Sequence, residues 1–378
     1  MSHIGENLFN ESPTHPGEKL RQAIAAKGWT QDELAIITGR SRPLINEIVS
    51  GKRGITAEMA LALSAAFGDT PDYWLRLESD YRLSQAHNDS PEVMRRARVF
   101  EIAPVKEMQK RGWIGESKEI EAIESELKKF FRVNSLDEDP RIIAAPRKTD
   151  SLASFTPAQR AWCFRAQQMA EVVHAERFKP ELLPHCKKRL RELAAYPEEA
   201  KNVAKVLAGY GIRFVIVEPL VATKMDGAAF CLPTAKPVIA MSIRRDQIDR
   251  FWFVLFHELS HIQNNDASVD IDLIGEDTAP VATDDIEHRA NEDAAATLIP
   301  PEKLKSFILR VGPLYSKIRI NQFAHTLKIH PGIVLGQLQH HQEVGWNANP
   351  EMLAKVRSLV ISTALTDGWG RVFSPGVF

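Results

Sequence analysis

The segment His257-Glu258-Leu259-Ser260-His261 constrains this chain more than any other stretch of its length. It lies within residues 245–264, where Ile248, Trp252, Leu255, Leu259 and Ile262 recur at steps of three and four. That period marks one long helix with a buried stripe. Histidines four residues apart leave a helix on the same face, so His257 and His261 can grip a single metal ion. Zinc takes such nitrogen ligands in a roughly tetrahedral shell and, in catalytic sites, keeps one position open for water. Glu258 is not needed as a ligand. Its carboxylate can take a proton from the attacking water and later deliver it to a leaving amine. The apolar residues around it favour a raised carboxyl pKa. A surface helix with two unrelated histidines is the bland alternative. The context argues against it, because two strand-like runs, residues 212–217 and 237–241, precede the helix on either side of an Asp226-Gly227 turn.

A third ligand has to come from elsewhere. The acids of residues 266–285 (Asp270, Asp272, Glu276, Asp277, Asp284) read as solvated loop charge. An alanine-rich helix then runs to Leu298, and Ala290, Ala294 and Ala295 would let it approach the histidine-bearing helix closely. Glu287 projects at the metal in that arrangement, and Asn291, one turn on, can hydrogen-bond a ligand histidine. His288 and Glu292 are the competing choices. Two histidines and one glutamate favour zinc, one ion per chain. Tyr315, His325 and His330 are available in sequence to stabilise an oxyanion, and their spacing does not choose among them.

The first 86 residues break into five short helical pieces. Pro16 opens one with Leu20, Ile24 and Ala25 on its apolar stripe, and it stops at Gly28. Thr30 and Glu33 form a capping box for the second, whose inner face is Leu34, Ala35 and Ile37, with Gly39 as its stop. Ser41 opens the third, with Leu44, Ile45 and Ile48 inward. Thr56 caps a fourth carrying Met59, Leu61, Leu63 and Phe67, and Pro71 begins a fifth with Tyr73, Trp74 and Leu77. Two short helices joined by a glycine turn describe a helix-turn-helix, whose second helix enters the major groove N-terminus first. Ser41, Arg42 and Asn46 would then meet base edges, Gln31 would touch phosphate, and Arg40, Lys52 and Arg53 flank the reading helix. A helical bundle used only for protein contacts is the alternative reading.

Residues 87–155 read as a charged helical connector, with an amphipathic helix over 119–131 behind Ser117 and a polar linker over 134–154. Residues 156–345 form the metal-binding domain, entered at Thr156-Pro157 with Trp162, Phe164 and Met169 as core, and residues 346–378 are an unplaced extension. His174 and His185 read as ordinary surface or half-buried histidines. The fold class is thus mainly α with an α+β C-terminal part. Three cysteines at wide spacing (Cys163, Cys186, Cys231) fit neither a disulfide framework nor a CxxC metal pair, and suit a reducing cytoplasm. No run approaches the roughly 18 apolar residues of a membrane span, and the N-terminus lacks a signal-peptide layout. The formal net charge of -1 neither demands nor excludes nucleic acid.

Two stretches resemble known families. Residues 15–77, including GITAEMALALS and DYWLRL, resemble the Cro/C1-type helix-turn-helix of HigA-like antitoxins, which implies a homodimer reading a palindromic operator. FWFVLFHELSHIQN, EHRANEDAAATLIPP and FAHTLKIHPGIVLGQLQH together resemble the ImmA/IrrE zinc metallopeptidases, which implies a zincin-like domain that cleaves a regulatory protein. The family pattern maps onto Glu287, Ala290, Asn291 and Leu298-Ile299-Pro300. Ser260 stands where glycine is frequent, on what reads as an exposed turn of helix, and Asp293 where an aromatic is usual. Three function classes follow. The leading one is a cytoplasmic transcription regulator with a fused zinc peptidase. The second is an antitoxin whose C-terminal domain only contacts a toxin. The third is a sensor whose cleft binds a small molecule.

Overall fold

The computed structural model describes residues 14–86, 90–138, 155–265, 268–271 and 285–368. The chain divides into two units, residues 1–93 and 94–378. In the first, five helices follow one another: α1 (Pro16–Ala26), α2 (Gln31–Thr38), α3 (Arg42–Val49), α4 (Ala57–Phe67) and α5 (Pro71–Gln85). Local chemistry sets their ends. The Thr30 N–H donates to the Glu33 carboxylate at 2.7 Å while the Thr30 hydroxyl accepts from the Glu33 N–H at 3.2 Å, a closed capping box. Gly39 ends α2 at φ 64°, a left-handed conformation glycine adopts without steric cost. Leu20, Leu34, Ile45, Leu63 and Trp74 form the core. Four residues expected on buried faces are not inside: Ala25 is exposed and Tyr73 is 42% exposed, beside two more. Ile37 is 47% exposed in the last turn of the eight-residue α2. Leu61 is 61% exposed. It stands two residues from both Met59 and Leu63, roughly 200° around the helix from each.

The second unit is a mixed five-stranded sheet covered on both faces by helices. Before the sheet come α6 (Ser90–Ile102), α7 (Val105–Lys110), α8 (Ile120–Phe131), α9 (Pro157–Val172), α10 (Leu183–Leu193) and α11 (Val203–Gly209). Then follow β1 (Arg213–Val217), β2 (Met225–Leu232), β3 (Lys236–Met241), α12 (Ile248–Asn264), β4 (Ser268–Ile271) and α13 (Asp285–Leu298). The chain continues through α14 (Pro301–Val311), α15 (Lys317–Leu327), α16 (Pro331–His340), α17 (Arg357–Ile361) and β5 (Leu365–Asp367). The strand order is β4-β2-β3-β1-β5, with β1 parallel to β3 and β5, and β2 antiparallel to β3 and β4.

Strand periodicity divides the core in two. Phe214, Ile216, Ile239 and Met241 face a cluster that includes Trp252, Leu255 and Leu259 of α12. Val215, Val217, Val238 and Ala240 face a second cluster with Val99, Met108, Leu127 and Trp162. The helices of residues 94–131, read above as a connector, are therefore the second cover of the sheet. Strands apolar on both faces require one. The Asp226-Gly227 pair, read as a turn, lies within β2, where Gly227 pairs with Met241. Residues up to 368 of the unplaced extension also belong to this unit. Met352, Val356 and Val360 join the first cluster, and the buried Asp367 on β5 pairs with Arg165. Residues 139–154 of the expected linker and residues 272–284 of the acidic loop lie outside the described residues. No helix among the described residues is long and apolar enough to cross a membrane.

Candidate metal centre and DNA-reading face

Helix α12 packs its apolar stripe on the sheet and ends at Asn265, whose φ of 56° closes the last turn. The packing leaves His257, Glu258 and His261 fully buried, each at 0% exposure. Helix α13 runs against α12, and Ala290 and Ala294 are small enough for a close approach. That approach delivers Glu287, 31% exposed, to the two histidines. The imidazole Nε2 atoms stand 2.9 Å apart, and Glu287 Oε2 lies 3.2 Å from His257 Nε2 and 3.7 Å from His261 Nε2. A tetrahedral shell with bonds of about 2.0–2.1 Å sets its ligand atoms roughly 3.3 Å apart. The three separations bracket that value, so the donor set fits zinc in both chemistry and spacing. His288 and Glu292, the competing ligands, pair with each other at 3.1 Å on the exposed side of α13.

Glu258 is set by the sheet. A Cβ at Gly227 would lie 2.0 Å from Glu258 Oε1 and 3.1 Å from Val254 Cγ1, so the strand presses bare backbone against the carboxylate. Sequence reasoning missed this contact because Asp-Gly is a turn signal. Asn291 was expected to orient a ligand histidine. Its Oδ1 is buried without a hydrogen bond, as is His261 Nδ1, so that bond is not formed among the described residues. Ser260, expected on an exposed turn, is fully buried. Asp293 meets it there: its carboxylate accepts hydrogen bonds from Lys187 Nζ at 2.7 Å and from Ser260. These bonds outweigh burial and hold its pKa below the usual carboxylate value. Tyr315 donates to Glu343 at 2.6 Å, His330 caps α16, and His325 is exposed. Two of the three oxyanion candidates thus have structural employment.

In the first unit, α2 and α3 are joined through Gly39 and Arg40, and Ser41 is the N-cap of α3 without a side-chain bond of its own. Arg40, Ser41, Arg42, Asn46, Lys52 and Arg53 are all exposed, and Gln31 is half-buried at the start of α2. The helix-turn-helix domain model matches residues 17–79. Virulence-associated protein A' of Dichelobacter nodosus is 36% identical over 86 residues, spanning 22% of this chain and 75% of that protein. The chain belongs to the helix-turn-helix family. Virulence-associated protein I of the same organism is 40% identical over 86 residues, 22% of this chain and 80% of its own length. Among solved structures, Pseudomonas aeruginosa antitoxin HigA with its promoter is 33% identical, covering 25% of this chain and 98% of that one at a TM-score of 0.21.

The charged residues of the helix-turn-helix domain are not idle in the free protein. Arg42 pairs with Asp32 at 2.8 Å, Arg53 with Glu47 at 3.3 Å, and Arg40 with Glu58 at 3.8 Å. These pairs are solvent-exposed and individually weak, so a phosphate or a guanine edge can displace the carboxylates at small cost.

Proposed function

We propose that the chain is an antitoxin-type transcription regulator carrying a zinc-dependent peptidase of the ImmA/IrrE kind, which cleaves a regulatory protein. The observation that carries the reading is the convergence of His257, His261 and Glu287 ligand atoms within 4.8 Å of one another, beside a buried Glu258. His257, His261 and Glu287 would hold the ion. When bound, zinc supplies Lewis acidity that activates water and polarises a carbonyl. Glu258 supplies the base: its carboxylate removes a proton from the attacking water and returns it to the leaving nitrogen. Gly227 keeps that carboxylate in place without covering it by a side chain.

The regulatory half of the proposal rests on the helix-turn-helix domain. A homodimer in the cytoplasm would place two copies of α3 in successive major grooves of a palindromic operator. The relatives named above, an antitoxin with its promoter among them, support that role. The second reading, a domain that contacts a toxin without catalysis, is separated by one substitution. Protein N-termini are compared in host cells expressing wild type or Glu258→Gln. New N-termini present with wild type and absent with the variant support proteolysis. Identical sets assign the domain to binding alone.

A further inference from the structure

A second feature of α12 has no part in the zinc reading. Asp249 opens the helix and is 9% exposed, yet its Oδ1 is buried and receives no hydrogen bond among the described residues. It lines a cavity of about 30 Å³ whose walls are Phe253, Leu298, Ile333 and Trp346, with the buried Gln337 as a polar wall and His340 at the side. The pocket is built around the carboxylate. On α16, a Cβ at Gly336 would lie 2.4 Å from Asp249 Oδ2, so only glycine leaves the carboxylate its place. The neighbouring Arg250 guanidinium lies 5.5 Å above the Trp346 ring, and its charge offsets only part of the cost of burying Asp249. Burial lowers the His340 pKa and leaves that ring neutral at pH 7. Arg250 and His340 are the cationic or titratable groups beside the carboxylate among the described residues that line the pocket or act on its charge. The carboxylate accepts backbone hydrogen bonds from its own N–H and that of Arg250, but its Oδ1 has no partner among the described residues, and a buried polar atom left in that state is costly.

We propose that this pocket binds the ammonium head of a lysine side chain presented by the protein substrate. The inference rests on the peptidase reading for its substrate, and on the pocket alone for its chemistry. Three arguments give the class of ligand. The charge is negative and the walls are mainly apolar, with Gln337 as a further hydrogen-bond acceptor, which suits a cation on an aliphatic stem. The volume accommodates about two water-sized groups, enough for an ammonium and too little for a guanidinium fork. The position adjoins the metal centre: Asp249, Phe253 and His257 follow at i, i+4 and i+8 on one face of α12. Phe253 is the shared wall, its ring 6.3 Å from that of His257. Eight residues of helix rise about 12 Å, a span that a lysine stem and the adjoining backbone can cover. The pocket would thus select a residue close to the scissile bond.

The test has two arms on the full-length, zinc-supplemented protein. Calorimetric titration with n-butylamine is expected to show one site per chain, weakened at least tenfold in Asp249→Asn and in Gly336→Ala. n-Butanol, the uncharged counterpart, should bind wild type at least tenfold more weakly than the amine. Absence of amine binding, or equal binding by Asp249→Asn, would mean the pocket holds only water and would overturn the proposal. The second arm digests a mixed peptide library. Lysine should be enriched at one position beside the cleaved bond with wild type, and that enrichment should vanish in Asp249→Asn while cleavage moves to other sequences. Cleavage without lysine preference, alongside amine binding, would assign the site to free amines and overturn the substrate assignment. No cleavage at all, with Asp249-dependent amine binding retained, would sink the peptidase reading and leave the ammonium site standing.

Discussion

Adding one methyl group at position 227 probes the geometry around Glu258 more sharply than removing the glutamate. An alanine Cβ there would sit 2.0 Å from Glu258 Oε1, 2.9 Å from its Cδ and 3.1 Å from Val254 Cγ1. Relaxed heavy-atom contacts need about 3.5–4.0 Å, so something has to move by more than an ångström. The strand cannot yield easily, because Gly227 is held in the ladder opposite Met241. The carboxylate cannot swing into water, because Glu258 is fully buried. Overpacking of this kind costs about 1–3 kcal/mol. Where the backbone tolerates it, Gly→Ala instead stabilises by about 0.4–1 kcal/mol, so the sign of the effect is diagnostic. Urea denaturation of wild type and Gly227→Ala should show the loss. A base displaced by about 1 Å should cost roughly 100-fold in cleavage rate, with zinc content unchanged. A variant as stable as wild type would refute the close approach of β2 to Glu258.

Other consequences can be checked separately. Replacing Arg42 by alanine should weaken operator binding by about 1–3 kcal/mol and relax base preference if it reads a base edge; gel-shift titrations on operator and scrambled DNA measure both. An equal loss on all sequences would reassign Arg42 to phosphate, and no loss on either would displace α3 as the reading helix. Burial raises the Asp249 pKa from 3.8 to about 6. Between those values the folded chain holds a proton that the unfolded chain has released, so stability falls as pH rises through the window and stays lower above it. Asp249→Asn removes this penalty and should be more stable at pH 7 by up to roughly 3 kcal/mol, with no advantage below pH 4. Thermal unfolding across pH 4–7 checks it, and parallel profiles would contradict the burial of this carboxylate. A stability gain of this kind is what a residue kept for binding should show.

Much of this architecture is legible where a local rule and the tertiary environment agree. The Thr30–Glu33 box, the Gly39 stop and the helical period around His257 are short-range signals, and each reappears at its position. The sheet was harder. Strand β2 carries Asp226-Gly227, which reads as a turn, and β5 is three residues long behind a segment of mixed composition. The helices over residues 94–131 read as a connector because amphipathicity says that one face is buried, not against what. The departures at Ser260 and Asp293 looked unrelated in the sequence. In space they share a hydrogen bond, which Lys187 completes from α10. Asp249 carries no sequence signal, since an acidic residue in the first turn of a helix is ordinary on electrostatic grounds. Only its burial against Gly336 marks it out.

The central claim is that three side chains from two helices form one zinc site. Elemental analysis of purified protein, wild type beside His261→Ala and Glu287→Gln, tests it most directly. Wild type should carry about one zinc per chain, His261→Ala none, and Glu287→Gln a site weak enough to be stripped by mild chelation. No zinc in wild type after zinc is supplied, or full occupancy in His261→Ala, would contradict it.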